Sequence, residues 1–158
     1  MSAVMVHRQQ MVDDSNWAIA HHTQILYGQV RPIPVNLPPF SLPFTTDCSG
    51  FVTIMAKWSG NPDPNGNSFD GQGYTGAMLN HLPHILLKQT WRGDLAVFGG
   101  YPGLHVVALL QGGSAQGDPA VVSHGGAAGP QRFPLSEVTS FFGKGCPVTY
   151  LQLRPNSG

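Results

Sequence analysis

One cysteine stands where a thiol can act as a nucleophile. Asp47-Cys48-Ser49-Gly50-Phe51 sets a sulfur between turn-forming residues and an amphipathic run. Phe51, Val52, Met55 and then Trp58 or Ser59 recur at helical spacing, which predicts a helix starting near Thr46 or Asp47 with Cys48 in its first turn. There the free backbone amides and the helix dipole favour thiolate over thiol and offer donors to a developing oxyanion. Such a nucleophile needs a base within hydrogen-bond reach and a third polar group that orients the base. His105 and His124 are the candidates, each at one end of a short Val-rich run. A hairpin turn within residues 111–118, centred between Ser114 and Ala115, would face His105 with His124 and Val107 with Val122. Directly opposed Cβ atoms lie about 4.5–5.5 Å apart, so one ring would hold the other. The sharp reading is Cys48 as nucleophile, His105 as base and His124 as orienter. Glu137 is a rival third member, although a place in the first turn of a short helix explains it as well. The plain alternatives are a small buried cysteine, a satisfied core histidine at 105 and a loop histidine at 124.

These residues must be positioned by the rest of the chain. Its 158 residues suit a single domain, 1–158, with a core of its own. Only 10% of residues are charged, and 20 Gly with 14 Pro make the chain rich in turns. Eight basic residues balance eight acidic ones without a Lys/Arg cluster, which disfavours nucleic acid and anionic lipid as partners. No segment approaches the ~20 apolar residues of a membrane span, and the first eight residues lack the apolar run of an export signal. Two cysteines are too few for a secreted disulfide scaffold.

Asp13-Asp14-Ser15-Asn16 predicts caps for a helix over 17–27, closed by Gly28. Five prolines between Val30 and Thr46 predict an extended surface arm leading to the cysteine. Residues 60–67 read as a loop and 75–82 as a short helix. Residues 95–98, 106–110, 120–123 and 148–153 read as strands separated by Gly-rich turns, with one or two helical turns over 134–142. Early helices and late strands predict an α+β domain with helices packed on a small antiparallel sheet.

Asp47-Cys48-Ser49-Gly50-Phe51-Val52, then Gly93-Asp94-Leu95-Ala96-Val97-Phe98, then His105-Val106-Val107 resemble, in order and spacing, the NlpC-type papain-like cell-wall peptidases. The resemblance implies a papain-like fold and hydrolysis of peptidoglycan stem peptides, often between D-glutamate and a diamino acid, through an acyl-enzyme. It implies a triad of Cys48, His105 and a polar residue on the next strand, here His124. It also places Asp47, Ser49 and Tyr27 at the substrate subsite. Asp47 serves equally as an N-cap, and the Pro-rich insert before Cys48 departs from the family pattern. No cofactor or metal is implied, and the expected partner is bacterial peptidoglycan, bound by a monomer. The missing export signal, the absence of a wall-binding repeat and the ending Arg154-Pro155-Asn156-Ser157-Gly158 look like the N-terminal module of a phage endolysin, held in the host cytoplasm until a pore releases it to the wall.

Three other readings compete. A related amidase would cut between muramic acid and L-alanine, whereas Ser49-Gly50-Phe51 favours the endopeptidase. A wall-binding domain would keep the fold without the chemistry. A zinc site from His81, His84, His105 and Cys146 or Cys48 has unsuitable spacing, with Pro83 distorting the His81/His84 pair. His21 and His22 read as solvated.

Overall fold

The fold is that of a computed structural model describing residues 2–155. The final three residues of the ending noted above, Asn156-Ser157-Gly158, lie outside the described residues. The first helix, α1 (Ala3–Ala20), begins fourteen residues before the expected start at 17, because Ser2 caps it by accepting from the Met5 amide at 3.3 Å. Asp13 and Asp14 lie inside the helix and accept from Gln9 and Gln10, one turn earlier. The predicted helical end instead becomes a 3-10 turn (His22–Gln24) and a strand, β1 (Ile25–Tyr27), paired in parallel with β2 (Phe44–Thr46). Tyr27 is therefore a strand residue.

Between these strands the Pro-rich arm lacks regular structure, as its prolines dictate. Phe40 anchors it against Trp17 and Trp58, at ring-centroid distances of 5.0 and 5.6 Å. The nucleophile helix α2 (Cys48–Trp58) follows, then α3 (Thr75–His81). The remaining elements are β3 (His84–Ile85), β4 (Leu95–Phe98), β5 (His105–Leu109), β6 (Ala120–His124), β7 (Pro130–Pro134), α4 (Leu135–Phe142) and β8 (Val148–Leu151). Six of the strands form one antiparallel sheet in the order β3-β8-β4-β5-β6-β7. The sequence pattern misses β7, since proline argues against a strand; this one lies on the sheet edge, where a missing N–H is tolerated.

Alternation along the strands gives the sheet two buried faces. Leu95, Val97, Val106, Ala108 and Val122 share one core with Cys48, Phe51, Val52 and Met55 of α2. Ala96, Phe98, Val107, Leu109 and Val121 form a second core with Leu135 and Val138 of α4. The β5–β6 register decides which histidine belongs to which face. Ala108 pairs with Val122 and Leu109 with Val121, one residue away from the expected register. Leu110 donates to the Ala120 carbonyl and closes a loop centred on Ala115, which is a residue rather than the peptide bond before it. A shift of one residue sends every side chain to the other face, so the expected opposition of His105 and His124 is corrected.

Candidate functional site

Asp47 starts α2. Its Oδ1 accepts from the Gly50 amide at 2.8 Å, closing the cap that puts Cys48 in the first turn. A Cβ at Gly50 would lie 3.0 Å from Asp47 Oδ1 and 3.2 Å from Thr46 Cβ, so this close approach favours glycine. Arg31, which sequence reasoning passed over, reaches in from the arm. Its Nη2 donates to Asp47 Oδ2 at 3.1 Å and to Ser49 Oγ at 3.0 Å, and its Nε to the Gly73 carbonyl at 2.9 Å. The arm is thereby tied to the start of the nucleophile helix. An arginine within a Pro-rich segment of a charge-poor chain was the available signal.

Cys48 is 8% exposed, and burial is the largest influence on its thiol, pushing its pKa up; the nearby Asp47 charge pushes the same way. Against these act the Val106 backbone, the Thr75 hydroxyl and the Ser49 backbone, all of which favour the thiolate. Desolvation thus opposes the thiolate that a helix start alone would favour. The sulfur lies against the backbone of Val106, the residue next to His105. No hydrogen bond joins Cys48 to an imidazole among the described residues.

His105 leaves β5 on the α4 side of the sheet. Its Nε2 lies 2.8 Å from Ser123 Oγ, and its ring faces those of Phe98 and Phe142 at 6.3 and 5.8 Å. Burial, followed by the proximity of His124, lowers its pKa to about 4. Ser123 is the hydrogen-bond partner of the ring that the sequence reading missed; the register shifted by one residue puts it opposite Val107, on the same face as His105 and diagonal to it. His105 and Ser123 line a cavity of about 280 Å³ with Gly125, Phe133, Glu137 and Phe142 among its walls. Glu137, the rival third member, is on that rim in the first turn of α4, with no hydrogen bond to His105.

His124 occupies the other face. It is 1% exposed, its Nε2 lies 3.1 Å from the Leu26 carbonyl, and its ring meets Tyr27 edge-on at 5.2 Å and Phe51 at 5.6 Å. Burial lowers its pKa, opposed by backbone carbonyls of β1, β2 and the β6–β7 turn. It joins β6 to β1 and backs Tyr27, whose phenol is raised first by burial and then by Cys48 and Asp47 beside it. Cys48, Asp47, Ser49 and Tyr27 therefore gather at one place, with Arg31 and Thr75 added.

Among the described residues no group of three or more His, Cys, Asp or Glu could hold a metal ion, and both cysteines are free thiols. His21 and His22 are half-buried rather than solvated, and bond the carbonyls of Trp17 and Ala128. No described helix is long and apolar enough to cross a membrane.

No protein-family model matches the chain, and no curated protein does. Among solved structures it is similar to an NlpC/P60 family protein of Bacillus cereus, at 17% identity and TM-score 0.56, over 91% of this chain and 40% of that one. A protein of Staphylococcus aureus described as similar to lipoprotein, of the NLP/P60 family, matches at 15% identity and TM-score 0.58, over 99% and 43%. RipD of Mycobacterium tuberculosis, described as a non-catalytic NlpC/p60 domain protein adapted to peptidoglycan binding, matches at 16% identity and TM-score 0.48, over 92% and 98%. The chain thus spans about two fifths of the length of the first two. The architecture is the α+β papain-like fold.

Proposed function

We propose that this chain, as one unit over residues 1–158, hydrolyses peptidoglycan stem peptides between D-glutamate and a diamino acid. Cys48 is the nucleophile, His105 the base, and Asp47, Ser49 and Tyr27 contact the acyl side of the substrate. The observation that carries the reading is the seat of Cys48: a capped helix start, with the sulfur against the backbone next to an imidazole held by Ser123. Likeness of fold to NlpC/P60 proteins agrees with it.

In this mechanism the Cys48 sulfur attacks the scissile carbonyl carbon as its proton passes to His105. Amides at the start of α2 receive the oxyanion. Collapse of the tetrahedral adduct breaks the C–N bond, and His105 returns the proton to the leaving amine. Water, deprotonated by His105, then attacks the thioester and releases a carboxylic acid and the thiol. The reading requires the imidazole to serve the sulfur around the start of β5, since the two side chains leave opposite faces of the sheet. His124 enters as support for Tyr27. A phage setting, with the enzyme acting on the host wall after release from the cytoplasm, belongs to the same proposal, as does action as a monomer.

Digestion of defined muropeptides followed by mass analysis tests it. The expected products are stem fragments with a new amine on the diamino acid, absent with Cys48→Ala and His105→Ala. Fragments carrying a free L-alanine amine would identify an amidase instead. One observation favours a second reading, a wall-binding domain without hydrolysis: burial raises the Cys48 thiol and lowers the His105 imidazole, which keeps both neutral. Wall binding unchanged by Cys48→Ala, with no released peptide from either protein, would establish it.

A further inference from the structure

Arg31 lies on the nucleophile's side of the sheet. Its partner Asp47 directly precedes Cys48, and the Asp47 charge acts on both the Cys48 thiol and the Tyr27 phenol. Every N–H of the Arg31 guanidinium has a protein acceptor. Nε meets the Gly73 carbonyl at 2.9 Å, and Nη1 meets the Val30 carbonyl at 2.8 Å and Asp47 Oδ1 at 3.4 Å. Nη2 meets Asp47 Oδ2 at 3.1 Å and Ser49 Oγ at 3.0 Å. Asp47 Oδ1 also accepts from the Gly50 amide at 2.8 Å and the Ser49 hydroxyl at 3.3 Å. The cluster is closed: the guanidinium keeps no donor for a substrate carboxylate, and the carboxylate already holds its cation. Side-chain exposures of 21% and 14% still leave the pair within reach of a bound stem.

We infer that Arg31 decides the charge preference of the acyl-side subsite. By cancelling Asp47 it leaves a free ammonium no advantage there, so the subsite takes stems whose first amine is still acylated by the glycan. The inference rests on the hydrolase reading. In a stem cut after D-glutamate the acyl half is L-alanine and D-glutamate, so its first amine lies within about 10 Å of the bond. That is about one Debye length, close enough for a net charge at Asp47 to act on an ammonium. A bare Asp47 in the same place would favour trimmed stems with a free first amine.

Two synthetic stem peptides test this, identical except that the first amine is free in one and acetylated in the other. The full chain should cleave both with equal kcat/KM. Arg31→Gln uncovers the carboxylate and should favour the free amine roughly five-fold, the size of one partly exposed ion pair. Asp47→Asn keeps the cap, leaves the guanidinium unpaired and should shift the ratio the opposite way, whereas Arg31→Lys keeps a cation and should leave it near one. Each ratio is measured within one protein, so a general loss of activity or stability does not move it. A free-amine preference in the unaltered chain, a ratio that neither variant changes, or loss of all cleavage in both Arg31→Gln and Asp47→Asn would overturn the inference while leaving the hydrolase intact. Cleavage of neither peptide, nor of purified wall, by the unaltered chain would remove the hydrolase reading and the inference with it.

Discussion

Arg8 Nη1 stands 2.9 Å from Asp94 Oδ1, with side-chain exposures of 2% and 0%, and the pair locks α1 to the start of β4. Arg8 also donates to the carbonyls of Arg92 and Arg154, while Asp94 accepts from the amides of Trp91 and Leu153. Breaking such a pair from one side leaves a buried charge without compensation. Arg8→Met should therefore lower unfolding stability by about 3–5 kcal/mol in urea titration. A loss below about 1 kcal/mol, the range of exposed pairs, would show that the site admits water.

Acid should weaken the fold through His105. Its folded pKa of about 4 lies below the ordinary histidine value of 6.5, so the unfolded chain binds more protons between these values. The stabilisation is present above pH 6.5 and is lost as pH falls towards about 4, by up to roughly 3 kcal/mol. His124 is shifted in the same direction, so the comparison that isolates His105 is the unaltered chain against His105→Gln. Equal slopes of stability against pH in the two proteins would contradict this assignment.

Alkylation of Cys48 by iodoacetamide should lag behind a free peptide thiol at neutral pH, because burial holds the thiol protonated. Thr75→Val should push the midpoint of the alkylation profile higher still, since the Thr75 hydroxyl favours the thiolate. The readout is mass-resolved labelling with Cys146 counted separately. Faster reaction than the peptide thiol would mean that an imidazole ionises the sulfur, and would strengthen the case for a catalytic pair.

Asp47 has two jobs, capping α2 and pairing with Arg31. Asp47→Ala should cost about 1–2 kcal/mol through the lost cap. Asp47→Asn keeps an acceptor for the Gly50 amide and should cost less, because side-chain exposures of 21% and 14% leave the Arg31 pair partly screened. Thermal unfolding of the two variants separates these contributions. Equal losses would assign the stability to the ion pair instead.

The start of α2, the four expected strands and the short helices after 75 and 134 were legible because cap residues, β-branched runs and Gly-rich turns all act locally. The start of α1 was not, since its buried face carries Arg8, Asp14 and Ser15 and gives no clean apolar stripe. Asp94 reads as part of a sequence block, yet its partner is 86 residues away, which no local pattern reveals. The pairing of His105 depended on the parity of one loop. With Ala115 at its centre, Ser123 rather than His124 meets the imidazole.

The arm between Tyr27 and Phe44 looks dispensable when read as an insertion, but β1 and β2 run side by side in the same direction. Two strands so arranged cannot be joined by a tight reversal, because the connection must travel back along their length before the second begins. Those 16 residues supply the return path that this geometry requires. Trimming them to a hairpin would reverse Phe44–Thr46 and swing Asp47 and Cys48 away from their neighbours.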